Sequence, residues 1–419
     1  MKFAFNSNPI GEHEGSLLLL KKIAQSGGSK ESSLPFLFDQ TYISNLEKVL
    51  KNINHEKIKT VFVVGIGGAN LASKVLYDAT AGYLETIIDQ EKKMIFLDTN
   101  DGGVMEAIVS HISNFTSIED FVVVIVSKSG KTIETLSNSE FIINRLEVAF
   151  GNVASRIIVV TATDSPLWFE AKQKNILSIA LPFELSDRFS AFSPTTIVPL
   201  LVFGFPVSEF YTSAFSALQS FTTVQSKDIS MSASMVVDEY TKGNHIFDLF
   251  FFNTRLETMG KWHRQLIAES LGKDTTVDGV NQITGFTPTV SIGTTDLHSV
   301  LQLNLAGPKE RVTQFVFMKE HSNDNIGSGD ALYLLSESIT NKKPEELTEV
   351  ILESVQASYN EKNLPFFSIE LSPTIVTAVA EYMVYAMIQT VLIGNMWNIN
   401  VFNQPNVEGY KNATKQKLT

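Results

Sequence analysis

The stretch Phe121–Leu136, FVVVIVSKSGKTIETL, sets six apolar residues against a loop of hydroxyls, glycine and lysines. An unbroken apolar run of this length, Phe121 to Val126, reads as a strand buried on both faces, as in a parallel sheet. It breaks at Ser127-Lys128-Ser129-Gly130-Lys131-Thr132, and a helical pattern starts near Thr132. Such a loop can be a helix cap, with a hydroxyl serving the first N–H groups. It can equally seat one anion on those N–H groups and the positive end of the helix. A triphosphate P-loop does not fit, because its pattern requires glycine at 125, where Ile125 continues the strand.

Outward from this stretch, strands and helices alternate. TVFVVGIGG, MIFLD, SRIIVVTA and ILSIALP read as strands, with periodic segments such as LASKVLYDATAGYLE and GGVMEAIVSHI between them. Residues 205–235 are looser and helical. A second set follows: HIFDLFFF, the helix TRLETMGKWHRQLIAESLG, then TPTVSIG, RVTQFVFMK, PFFSIEL and a long apolar helix from Pro373. The spacing predicts an α/β protein with two mainly parallel sheets. Its expected parts are an N-terminal helical segment (1–44), a first α/β domain (45–205), a helical connector (206–235), a second α/β domain (236–400) and a C-terminal segment (401–419). GIGGANLA (65–72) sits between strand and helix, but a dinucleotide fingerprint needs glycine at 70, where Asn70 stands. The turn is either plain punctuation or a place where backbone N–H groups meet a phosphate or sugar.

Two domains are the prior for 419 residues. The 33 basic and 45 acidic residues give a net charge of −12, which argues against a nucleic-acid partner. Any anionic ligand must then be held by local donors. With no cysteine, disulfides and thiolate metal sites are excluded. MKFAFNSNPIGEHEG lacks a long apolar core, so the cytoplasm is the expected compartment. The run Thr374–Val401 carries Glu381 and Gln389 and is expected as a buried helix, not a membrane span.

Six stretches, in order, carry a resemblance: GIGGANL (65–71), SKSGKTIET (127–135), DRFSAFSPTTIVPL (187–200), WHRQLIAESLGKD (262–274), GTTDLHS (293–299) and VFNQPNVEGYK (401–411). Together they resemble the glucose-6-phosphate isomerase family, in its shorter bacterial branch. The resemblance implies two SIS-type α/β/α sandwich subdomains joined by helical arms. It also implies a cofactor-free, metal-free homodimer with the site at the subunit interface. Aldose–ketose interconversion needs one base that reaches two neighbouring carbons, and a fixed cation for the charge that develops on oxygen. By motif position, Glu269 matches the base, Arg188 the enediolate-stabilising cation and Lys411 the lysine at the ring oxygen. His298 matches the ring-opening histidine, supplied by the neighbouring subunit. Gly68, Ala69, Gln265 and Gln404 match substrate-binding positions. Ser127, Ser129 and Thr132 match a cradle for one phosphate, with Lys128 bordering it.

The chain also departs from that pattern. Ser186-Asp187 precede Arg188 where the family has two glycines, Ala69-Asn70 alter the glycine turn, and Asn403 and Asn406 alter the last motif. An isomerase of another sugar phosphate, such as mannose 6-phosphate, and a non-catalytic SIS sugar-phosphate-binding module are the alternative readings.

Overall fold

The computed structural model describes residues 1–7, 14–327 and 338–418. The small remainders of the expected N-terminal, second α/β and C-terminal segments lie outside the described residues. The chain opens with strand β1 (Lys2–Phe5) and helices α1 (Glu14–Ser26) and α2 (Tyr42–Leu50). The first α/β half runs β2 (Thr60–Val64), α3 (Leu71–Thr80), β3 (Lys93–Leu97), α4 (Gly102–Ile112), β4 (Phe121–Val126), α5 (Ile133–Phe150), β5 (Ile157–Thr161), α6 (Pro166–Gln173) and β6 (Leu177–Ala180). Helices α7 (Pro194–Phe203), α8 (Val207–Thr222) and α9 (Ser226–Thr241) lead onward to β7 (Ile246–Phe251) and α10 (Glu257–Leu271). The hairpin β8 (Lys273–Thr275) and β9 (Asn281–Thr284) precedes β10 (Thr287–Ile292), α11 (Leu301–Ala306), β11 (Arg311–Met318) and α12 (Pro344–Glu361). Strand β12 (Phe366–Leu371), α13 (Ile375–Met396) and α14 (Glu408–Leu418) complete the order.

The first sheet has the order β3-β2-β4-β5-β6 and is parallel throughout. The second has the order β1-β12-β11-β7-β10, parallel except for β1. In each sheet the founding strand (β2 or β7) gains its next partner on one side and the following partner on the other. That reversal opens a crevice at the carboxyl ends of the strands, the usual ligand position in open α/β sheets. In the first sheet the crevice lies between the glycine turn after β2 and the hydroxyl loop after β4.

Three findings depart from the expected segmentation. The opening residues are a strand: β1 pairs antiparallel with β12, Phe5 opposite Phe367, so the start of the chain belongs to the second sheet. A boundary at 235/236 would cut α9, because the helical connector continues to Thr241. The two halves also share one core. Val61 and Val63 of β2 face the same cluster as Phe247, Leu249 and Phe251 of β7. Phe62 and Val64 point the other way, toward Ile108, Ile142 and Leu146 under α4 and α5. Alternate side chains of one strand thus feed two apolar layers, which is why the strand reads as apolar at every position.

Helix α13 lies in the shared core against α8, α9, α10, α3 and α1. It is the one described helix long and apolar enough to cross a membrane, yet most of it is buried inside the protein. Its Tyr382 hydroxyl pairs with His263 Nδ1 at 2.8 Å and accepts from Gln314 at 2.7 Å. Burial pushes the His263 imidazole down to about 3, so this histidine is a neutral core residue.

Candidate active site

Helix α10 turns Trp262, His263, Leu266, Ile267 and Leu271 into the core. Its Gln265 and Glu269, one turn apart, fall on the opposite stripe. Gln265 Nε2 donates to Glu269 Oε1 at 2.9 Å. Arg188, 1% exposed, reaches the same carboxylate: its NH1 lies 3.4 Å from Glu269 Oε2. The rest of the guanidinium is fully used. Nε donates to Ser270 Oγ at 2.7 Å, NH1 to Gln404 Oε1 at 3.2 Å, and NH2 to the carbonyls of Val401 and, at 3.0 Å, Asn403. Burial lowers the Arg188 pKa, and the neighbouring Glu269 and Asp187 carboxylates oppose the shift.

Two close approaches bring the glycine turn to this cluster. A Cβ added to Gly68 would lie 2.3 Å from the Asp187 carbonyl carbon, so only glycine fits against the arginine loop. Gly67, at φ +60°, packs on the Gln265 amide. Ser190 Oγ seals the contact by donating to Gly68 O at 2.9 Å. Ala69 closes the turn and touches the Gly65 position. Asn70 is buried and donates to Asp98 at 3.1 Å, a contact inside the first half.

The hydroxyl loop lies on the same rim. Gly65 packs on Val126, the last residue of β4. Thr132 stands at the start of α5, but its side chain makes no cap bond; Thr132 Oγ1 lies 3.2 Å from Ser127 Oγ instead. The first N–H groups of α5 therefore lack that cap, which leaves them available to an anion. Ser129 is exposed and accepts from Lys131 N at 3.3 Å. Lys128 Nζ donates to Leu185 O at 2.7 Å and lies 3.5 Å from Asp187 Oδ1. Contacts thus run without a break from Thr132 through Lys128, Asp187 and Arg188 to Glu269.

The loop before Arg188 does not depend on glycine. Ser186 has φ −76°, and neither Ser186 nor Asp187 is among the residues with positive φ, so ordinary side chains are admitted there.

Lys411 lies on α14 and pairs with Glu408 at 2.8 Å. Partial burial lowers its pKa, but Glu408, with smaller help from Tyr410 and Asp187, holds it above the ordinary value. His298 is not brought to this cluster. Helix α10 starts beyond the carboxyl end of β7 and runs back ~18 Å from Glu257 to Glu269. Near the end of α10, Gly272 touches Gly285, just before β10 begins, whereas His298 follows the far end of β10 and is exposed.

The sequence reading missed two groups. Ser270 fixes Arg188. Lys273, 8% exposed, donates from Nζ to the Glu269 carbonyl at 2.6 Å. Its i+4 spacing from Glu269 was the available signal. Burial, with Arg188 adding and Glu269 and Asp274 opposing, pushes Lys273 down to about 8. Glu269 and Lys273 line a cavity of ≈ 400 Å³ with Thr275, Asn403, Gln404 and Asn406.

A family model described as phosphoglucose isomerase matches residues 44–418. The chain belongs to the phosphoglucose isomerase family. Among relatives of this family, a probable glucose-6-phosphate isomerase of Methanococcus maripaludis is 28% identical over 410 residues, covering 95% of this chain and 87% of that one. A glucose-6-phosphate isomerase of Campylobacter jejuni is 28% identical over 364 residues, covering 87% and 86%. Among solved structures, a hypothetical protein from Thermus thermophilus superposes with a TM-score of 0.81 at 22% identity, covering 97% and 91%. A glucose-6-phosphate isomerase from Chlamydia trachomatis gives 0.77 at 19% identity, covering 99% and 81%. These two likenesses place the phosphoglucose isomerase family member in the SIS-type fold.

Proposed function

We propose that this chain interconverts glucose 6-phosphate and fructose 6-phosphate through ring opening and a cis-enediolate. The observation that carries the reading is the Arg188–Glu269 pair on one rim with the uncapped loop 127–132. A single phosphate seated by Ser127, Ser129 and Thr132 tethers the non-reacting end of the hexose. That contact converts remote binding energy into alignment at the reacting carbons. Glu269 takes the C2 proton of the open aldose; the C1=C2 bond forms as charge gathers on O1. Returning that proton to C1, with the O2 proton passing to O1, gives the ketose. Arg188 faces the developing charge, already fixed by its other bonds, so little reorganisation is required. Gln265 and Gln404 hold the carboxylate and the guanidinium in register, and Gly68 and Ala69 keep the turn close to the sugar. Lys411 serves the ring oxygen.

Ring opening by His298 requires a second copy of the chain, and the reading therefore includes a homodimer. Its test is mixing. Glu269→Gln and His298→Asn are each expected to be nearly inactive, and co-refolded mixtures are expected to regain activity through hybrid sites. Mixtures no more active than their components would remove the shared site.

For the reaction itself, purified protein is assayed for equilibration of the two hexose phosphates, with mannose 6-phosphate as comparison. Turnover no greater than that of Glu269→Gln overturns the reading, and binding without turnover would leave a non-catalytic module.

A pH effect follows from Lys273. Its ammonium caps the carbonyl end of α10 beneath the base and adds to the local positive field. As pH rises through about 8 that charge is lost, and kcat is expected to fall. In Lys273→Met the limb near pH 8 should be absent and kcat lower at neutral pH. For stability the sign is opposite. Between about 8 and the ordinary 10.5 the native state has released this proton while the unfolded chain keeps it, so this group's contribution rises with pH.

A further inference from the structure

We propose that Asp187 is a built-in competitor for the phosphate seat: its carboxylate occupies Lys128 and sets how tightly an incoming phosphate is held. The inference rests on the sugar-phosphate reading above and concerns the affinity of that same site.

The geometry is specific. The Asp187 backbone is pinned, because the glycine turn packs on it with no room for a Cβ at Gly68. Its side chain is not pinned: it is 46% exposed, with Oδ1 3.5 Å from Lys128 Nζ. Lys128 belongs to the hydroxyl loop, between Ser127 and Ser129. Its ammonium has a second anchor, the Leu185 carbonyl at 2.7 Å, which does not involve Asp187. Removing the carboxylate therefore leaves Lys128 held where it is. The Asp187 field also reaches Lys411 on α14 and its neighbour Arg188, so one acidic side chain acts on three cations of the site, of which it pairs with Lys128. A dianion arriving at the loop meets a negative charge tethered to a fixed backbone and must share Lys128 with that charge. Like charges at such range weaken anion binding, and the effect is screened by salt. Asp187 is not among the residues with positive φ, so asparagine is admitted in its place without backbone strain. The carboxylate is thus a feature of the side chain alone and can be removed without touching the turn.

The test uses the full chain with Asp187→Asn, Lys128→Met and the double variant. Dissociation constants of inorganic phosphate and of fructose 6-phosphate are measured by titration calorimetry at low and high salt, with KM and kcat alongside. Asp187→Asn is expected to tighten both ligands by about three- to tenfold at low salt. KM should fall with them, kcat should change less than KM, and the gain should shrink at high salt. In the Lys128→Met background the Asp187→Asn gain should be clearly smaller, the remainder being direct repulsion of the dianion, as expected of a coupled pair. Affinities that are unchanged or weaker, a gain undiminished without Lys128, or no phosphate binding by any form would each overturn the proposal. Should the wild-type chain bind phosphate but not isomerise, the functional reading falls while the phosphate comparison still decides the role of Asp187.

Discussion

Glu269→Gln is expected to lower kcat by about 10²–10⁴-fold while the protein stays folded and still binds hexose phosphate. The substitution keeps the size and one acceptor oxygen of the side chain, so the bond from Gln265 Nε2, 2.9 Å in the wild type, can persist. What is lost is the ability to take and return a proton, together with the ion pair to Arg188 at 3.4 Å. The Glu269 side chain is 32% exposed, so loss of the pair should change the melting temperature little. The measurement is kcat by coupled assay, ligand affinity by calorimetry and a thermal melt on one preparation. A variant that retains more than a tenth of wild-type kcat would show that another group moves the proton.

Arg188→Met should reduce both activity and stability, and this separates it from the change at the base. Arg188 is the staple between the end of α10 and the chain at 401–404: it donates to Ser270, Glu269, Gln404 and the carbonyls of Val401 and Asn403. Methionine fills the volume but removes the donor from the buried Ser270 hydroxyl and Val401 carbonyl, each at about 1–3 kcal/mol, while Glu269 keeps its bond from Gln265. It also removes the charge opposite the developing oxyanion, a loss of about 10²–10³ in kcat. The expected result is a melting temperature lowered by several degrees and a kcat depressed by two to three orders of magnitude. Arg188→Lys should recover little of either, since one ammonium cannot reproduce a planar fork with five donors. Near-wild-type melting of Arg188→Met would contradict the staple.

Much of the fold was legible because the local signals agree. The β2 run Thr60–Val64 is buried at every position, and its shortness and β-branched valines mark it as a strand packed on both faces rather than a buried helix such as α13. The pairing of β1 was not legible. Lys2–Phe5 is a short edge strand whose partner lies some 360 residues away in sequence, and nothing local records that register. The limit of α9 was missed because SMSASMVVDEYT continues a helical pattern across the place where a looser composition suggested a break. At the site, side chains within one helix, such as Gln265 and Glu269 of α10, are related by spacing that can be read, and Lys273 follows just past the helix end. The Lys128–Asp187 contact joins loops of different strands, and the Val401 and Asn403 acceptors are carbonyls that every residue possesses. Neither leaves a mark in composition or periodicity.

The central position of α13 has a consequence for how the molecule is made. The helices that pack most heavily on it, α8, α9, α10, α3 and α1, are all synthesised earlier, α1 by some 350 residues. A nascent chain must therefore carry its exposed oily surfaces until α13 leaves the ribosome. Pulling α13 clear of the exit tunnel should be the moment when protease resistance of arrested chains appears abruptly, and holdase chaperones should release the chain at the same point.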